Sequence, residues 1–124
     1  MSAGQAFLEL GDRLMAAIEA CDVEAARALY WPDAQLWHNF DDAYQSVDGN
    51  MKMMQWIHTR LEGLKYDVIS REPLQDGFVQ RHILRGTLPS GEAIAMHACV
   101  IVRIADGRIK AFYEYLDPAQ AAAL

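Results

Sequence analysis

Hydrophobic positions recur with two different periods along the chain. In roughly the first half they return every three or four residues. Ala6, Phe7, Leu10, Leu14, Ala17 and Ile18 form one stripe, the pattern of a helix resting on a core. Asp22 is placed to cap a second, short helix from Val23 to about Tyr30. Pro32 stops it, because the residue before a proline avoids the helical region. Residues 34–39 then read as a strand with alternating faces, and 40–48 as a polar loop. Asp48-Gly49 opens a third helix reaching about Leu61, with Met53, Met54, Trp56, Ile57 and Leu61 at core spacing and Gly63 as its C-terminal cap.

From Lys65 onward the period becomes two. Strands are predicted over 65–71, 77–87, 92–104 and 108–116. Asp76-Gly77, Pro89-Ser90-Gly91 and Asp106-Gly107 lie between these runs and are hairpin signals. Helices followed by consecutive hairpins predict an α+β chain with an antiparallel sheet. Long strands that cover helices curve, and a helix across the mouth of a curved sheet leaves a concave cavity. The predicted architecture is therefore a cone of three N-terminal helices packed on a curved antiparallel sheet. The Ala-rich stretch 119–123 reads as a last helical turn or a frayed end.

Composition changes this picture little and narrows the partners. At 124 residues, 52% of them hydrophobic, the chain is expected to form a single domain, 1–124, with a real core. A net charge of −6 argues against nucleic acid or an anionic membrane as the main partner, since both need a basic face. No apolar run approaches the roughly 20 residues of a spanning helix. Residues 1–10 lack a basic segment followed by an apolar one, so no secretory signal is read. Cys21 and Cys99 are isolated, as free thiols of a cytoplasmic protein would be. His38, His58 and His97 lack metal-ligand spacing, so neither a metal nor an organic cofactor is expected.

Alternation sorts the candidate chemistry. Phe78, Gln80, His82 and Leu84 share one face of their strand, and Arg81 and Arg85 lie on the other, which suits solvent better. The same inward face takes Met96 and Ala98 from the next strand and Phe112, Glu114 and Leu116 from the last. The strand at 34–39 is read with Trp37 and Asn39 inward and His38 outward. The expected cavity is apolar, lined by Trp37, Trp56, Leu84, Met96, Ala98, Phe112 and Leu116. Its polar groups are Asn39, Gln80, His82 and Glu114. A His beside a Glu in such a place satisfies both groups and makes a tunable proton carrier. A one-residue slip of register would turn every one of these side chains over. His97, Cys99, Ile101, Tyr113 and Tyr115 fall on the outer face, an apolar patch that suggests a homodimer interface.

The run from Phe78-Val79-Gln80-Arg81-His82-Ile83-Leu84-Arg85 through Leu88-Pro89-Ser90-Gly91 and Asp106-Gly107-Arg108-Ile109 to Glu114-Tyr115-Leu116-Asp117 resembles SnoaL-like proteins of the nuclear transport factor 2-like superfamily. Trp37-His38-Asn39-Phe40-Asp41 also resembles a segment frequent in bacterial members. The resemblance spans nearly the whole chain and implies the cone fold. It leaves activity open among polyketide cyclases, ketosteroid isomerases, epoxide hydrolases, dehydratases and binding domains. The nearest enzyme pattern, limonene-1,2-epoxide hydrolase, uses an Asp-Arg-Asp set with a Tyr and an Asn. Asn39 matches the Asn, Trp37 stands at the Tyr, and Glu114 replaces the second Asp. His82 and Gln80 fall on the first Asp and the Arg in one alignment, Ile83 and Arg81 in another; either way the set is broken. By analogy with the carboxylate acid/base of cyclases and isomerases, His82 would be the acid or base. Glu114 would orient it, Asn39 would hold a water or substrate oxygen, and Gln80 would assist. The expected ligand is a small apolar molecule of terpenoid, steroid or polyketide type.

Overall fold

Each helix begins on a side chain that accepts from a free backbone N–H. Ser2 accepts from Gln5, Asp22 from Ala25 and Ser46 from Gly49. The computed structural model describes residues 2–124. It has helices α1 (Ala3–Glu19), α2 (Val23–Arg27) and α3 (Val47–Arg60). Its strands are β1 (Tyr30–His38), β2 (Ala43–Gln45), β3 (Glu62–Leu74), β4 (Gly77–Thr87), β5 (Ala93–Ala105) and β6 (Arg108–Leu116). A 3₁₀ turn at Pro118–Ala121 follows.

The three hairpin signals join β3 to β4, β4 to β5 and β5 to β6 as antiparallel neighbours. The curved sheet has the order β2-β1-β6-β5-β4-β3. It is mixed rather than wholly antiparallel, because β1 runs parallel to β6. The chain between those two strands includes α3 and all of β3–β5, a crossover long enough to allow a parallel pair.

Tertiary pairing moves several element boundaries. The chain leaves α2 at Arg27 because Tyr30 is drawn against β6. The Ile109 N–H donates to the Leu29 carbonyl, Trp31 donates its indole N–H to the Ala105 carbonyl, and the Arg108 guanidinium lies 4.9 Å over the Trp31 ring. Pro32, expected to end a helix, instead lies in β1 at the ladder irregularity between Tyr30 and Gln35, where its missing N–H loses no bond. The loop expected at 40–48 contains β2, which pairs antiparallel with β1. Gly63, expected to cap α3, stands inside β3 with φ +66 at a register shift.

α1 crosses the inner face of the sheet and seals one end of the cone. Leu10, Leu14, Met15 and Ala17 are buried with Phe78, Val100 and Val102. The middle of this helix holds Gly11, and the Arg71 guanidinium passes against it: a Cβ there would lie 2.5 Å from Arg71 Nε. A second apolar cluster, with Leu61, Leu64, Leu84, Leu88, Ile94 and Met96, occupies the other end. The carboxylate of Glu19 accepts from the Tyr66 N–H at 3.0 Å and ties α1 to β3. Cys21 and Cys99 are both unpaired. Among the described residues no helix is long and apolar enough to cross a membrane.

Candidate active site

Between the inner sheet face, α3 and the C-terminal turn lies a cavity of about 410 Å³. That is ample for a small organic molecule. Of the residues expected on its walls, His82, Glu114, Trp56, Leu84, Met96, Ala98 and Leu116 line it. They arrive there by alternation along β4, β5 and β6, whose registers set His82 beside Ala98, Ala98 beside Leu116, and Leu84 beside Met96. Arg81 donates to the Ser70 hydroxyl on the exposed side of the sheet. The register with Arg81 and Ile83 inward is therefore not the one adopted.

Five positions differ from expectation. Trp37 and Asn39 are not on the cavity wall, and His38 is. In β1 the buried alternating set is Ala34, Leu36 and His38. Trp37 instead packs on the outer face against Tyr113 and Tyr115, at centroid distances of 6.4 and 5.1 Å, and donates to Asp42. Asn39 lies just past β1 and binds the Leu116 backbone twice, accepting from its N–H at 2.9 Å and donating to its carbonyl at 3.1 Å. Gln80 is fully buried behind His82 rather than exposed to the cavity. Phe112 lines a smaller adjoining space of about 70 Å³, which shares His38, Tyr66 and Glu114 with the main cavity.

The inward parity of β1 had a signal in the sequence. Asp33 and Gln35 suit solvent, which turns Ala34, Leu36 and His38 inward. Tyr66 and Phe40 also line the cavity without having been singled out for it, and so does Met53, expected first as a core residue of α3. The C-terminal residues Ala121 and Leu124 do so too. That stretch is held over the cavity by Gln120, which accepts from the His97 N–H at 2.8 Å and donates to the His97 carbonyl at 3.0 Å.

The polar groups stand among apolar walls, and burial sets their proton affinities. Desolvation pushes the Glu114 carboxyl up to about 7, while a fifth of its side chain remains accessible. Its Oε1 lies 3.4 Å from His38 Nε2. Burial lowers the His38 imidazole, opposed by the Asp41 carboxylate. Burial lowers His82 to about 4, and the charge of Arg71 adds to the shift. Both imidazoles are thus neutral near pH 7, where Glu114 is divided between its acid and its base. The His82 ring meets Tyr66 edge-on at a centroid distance of 4.9 Å. Burial raises the Tyr66 and Tyr30 phenols, so both stay protonated.

The match of a family model to residues 12–112, described as a SnoaL-like domain, now has its structural counterpart. The chain belongs to the SnoaL-like domain family. Solved structures agree on the fold of this SnoaL-like chain. AclR from Streptomyces galilaeus, a proposed hydroxylase, superposes with a TM-score of 0.85 at 17% identity, over 96% of this chain and 94% of its own. IdmH from Streptomyces antibioticus, a proposed polyketide cyclase, gives 0.83 at 20%, over 91% and 93%. An LEH-like epoxide hydrolase from M. tuberculosis gives 0.78 at 12%, over 96% and 88%. Among curated proteins no sequence match is found.

Proposed function

We propose that this SnoaL-like domain is a cofactor-independent acid/base enzyme acting on a small, largely apolar, oxygenated molecule of terpenoid, steroid or polyketide type. The observation that carries this reading is one carboxyl group, Glu114, set in an apolar cavity and pushed up to about 7. A group with that affinity can both take and return a proton near neutral pH. Glu114 removes a proton from carbon next to a substrate carbonyl. The electron pair moves onto the carbonyl oxygen, and the protonated Glu114 returns the proton at another position. The result is an isomerisation, or a cyclisation when the enol carbon attacks a second carbonyl carbon of the same molecule, whose C=O π bond breaks as its oxygen takes the proton from Glu114. Water addition to an epoxide uses the same carboxylate as base: the water oxygen attacks one epoxide carbon, that C–O bond breaks, and the proton passes from Glu114 to the released oxygen.

In this reading Glu114 is the central group and His82 faces the reacting oxygen. His38, at 3.4 Å, orients the carboxyl. Asn39 acts at one remove, by fixing the end of β1 that carries His38. Trp56, Leu84, Met96, Ala98 and Leu116 shape the substrate's apolar body. The neighbours described as a cyclase and an epoxide hydrolase support the choice of chemistry only as analogy.

A thermal-shift screen over terpenoid, steroid and polyketide-like ketones and epoxides, followed by turnover assays of the binders, tests the proposal. A true ligand's shift grows with its concentration. Glu114→Gln is expected to keep the shift and lose turnover by roughly 10²–10⁴-fold. The wild-type rate is expected to rise with pH through about 7, where Glu114 becomes the base. Undiminished turnover in Glu114→Gln overturns the assignment. Binding with no turnover of any binder leaves a ligand-binding domain instead.

A further inference from the structure

Behind the cavity wall a line of donors and acceptors runs from α1 to His82, and its direction is set by chemistry. Arg71 Nε donates to Gln80 Oε1 at 2.6 Å. A guanidinium has no acceptor, so the Gln80 oxygen must face Arg71 and its amide nitrogen must face the other way. That nitrogen lies 2.7 Å from His82 Nδ1 and 3.5 Å from Met15 Sδ. An amide NH₂ only donates, so Nδ1 has to accept. The proton of the neutral ring then sits on Nε2, the ring nitrogen left for the cavity.

We infer that Arg71 and Gln80 are positioning residues that lock His82 into the Nε2–H tautomer, so that it offers a hydrogen-bond donor to a neutral acceptor oxygen of the ligand, a carbonyl or ether. His82 then polarises the substrate oxygen and does not take its proton. The use of this donor rests on the acid/base reading of the cavity; the tautomer itself does not.

The lock is built into the packing. Gln80 is fully buried, so its amide has no water to turn toward. Arg71 is held from the far side by the Leu8 carbonyl at 3.1 Å and by the Asp12 carboxylate, and it lies 5.6 Å from the centroid of the Phe78 ring. Turning the Gln80 amide over would set an NH₂ against the guanidinium and lose the bond to Arg71. One net hydrogen bond corresponds to a preference of roughly five- to tenfold. A ligand carboxylate would meet Glu114 in the same cavity, which favours a neutral ligand.

Long-range ¹H–¹⁵N spectra of histidine-labelled protein at pH 7 read the tautomer without any ligand. The expected wild-type pattern for His82 is a pyrrole-type Nε2 and a pyridine-type Nδ1. Gln80→Glu replaces the donor beside Nδ1 with a carboxylate acceptor and is expected to move the proton to Nδ1. Arg71→Met frees the Gln80 amide to rotate and is expected to lower the Nε2–H population. A wild-type His82 found as Nδ1–H or as imidazolium overturns the inference. So does a folded Gln80→Glu protein that keeps the wild-type pattern. Should that variant not fold, the wild-type and Arg71→Met spectra decide. The two proposals fail separately. Unchanged turnover in Glu114→Gln removes the acid/base reading and leaves the tautomer standing. A wild-type Nδ1–H ring removes the lock and leaves Glu114 as the acid/base.

Discussion

Burial raises Glu114 from 4.5 to about 7 and lowers His82 from 6.5 to about 4. The consequences for stability have opposite signs. Between 4.5 and 7 the folded chain holds the Glu114 proton more tightly than the unfolded chain does, so this group lowers stability as pH rises. Between 4 and 6.5 the unfolded chain holds the His82 proton more tightly, so that group raises stability as pH rises. Each shift corresponds to about 3 kcal/mol. The two slopes oppose each other, so the wild type is expected to change less from pH 4.5 to 6.5 than His82 and His38, both lowered by burial, would make it without Glu114. Glu114→Gln removes one of the two opposing slopes. Its stability in urea melts is expected to climb by about 3 kcal/mol over that range. It should exceed the wild type at pH 8 by a similar amount, and match it below pH 4.5. Parallel curves for the two proteins would mean that Glu114 titrates as a solvated carboxylate. At this scale the sequence was a partial guide. The inward faces of β4 and β6 were legible because Arg81 and Arg85 marked the outside of β4, and β5 followed from its pairing with them. β1 was misjudged by one position. A tryptophan suggests a cavity wall, but Trp37 finds its cover on Tyr113 and Tyr115, partners that lie far away in sequence.

α1 carries a glycine where helix propensity alone would choose alanine. A mid-helix Gly→Ala change ordinarily gains about 1 kcal/mol. At Gly11 the new Cβ would stand 2.5 Å from Arg71 Nε and 2.7 Å from its Cζ. The guanidinium is tied to Leu8, Asp12 and Gln80, and moving it strands the buried Gln80 oxygen. An unsatisfied buried acceptor costs about 1–3 kcal/mol. Gly11→Ala is therefore expected to lower stability by about 1 kcal/mol, and to shift the His82 resonances toward the pattern of Arg71→Met. A gain in stability would show that Arg71 moves aside freely. The glycine's reason lies on β3, outside any local sequence window. The same holds for the early end of α2, fixed by the pairing of Tyr30 with the distant β6; β2 pairs with β1, its neighbour in sequence, but at three residues it is too short for a period to show. Elements whose signals are local were read well: the stripe of α1, the cap at Asp22, and the three hairpins. Their turn residues Asp106 and Gly107 adopt the positive φ that the turn needs.

The sheet as a whole buries one face and leaves the other without a covering layer of helices. Strand register aligns Val79, Ile101, Tyr113, Trp37 and Tyr44 in one row across β4, β5, β6, β1 and β2. No residue in that row is charged, and none is fully buried. A solvent-facing side of a sheet ordinarily alternates to polar residues, and a continuous apolar row is a surface that needs a cover. A second copy of the chain is the occupant we expect. A twofold axis through the row sets aromatic on aromatic, and puts no charged residue of the row at the contact's centre. Sedimentation equilibrium at roughly micromolar concentrations should therefore report a dimer, the range in which a standard-sized interface holds. Tyr113→Lys puts two like charges at the middle of that contact and is expected to give monomers. Its side chain points away from the cavity, so ligand-induced thermal shifts should survive the change. A wild-type monomer at those concentrations would reject the dimer. A Tyr113→Lys protein that stays dimeric would place the interface elsewhere.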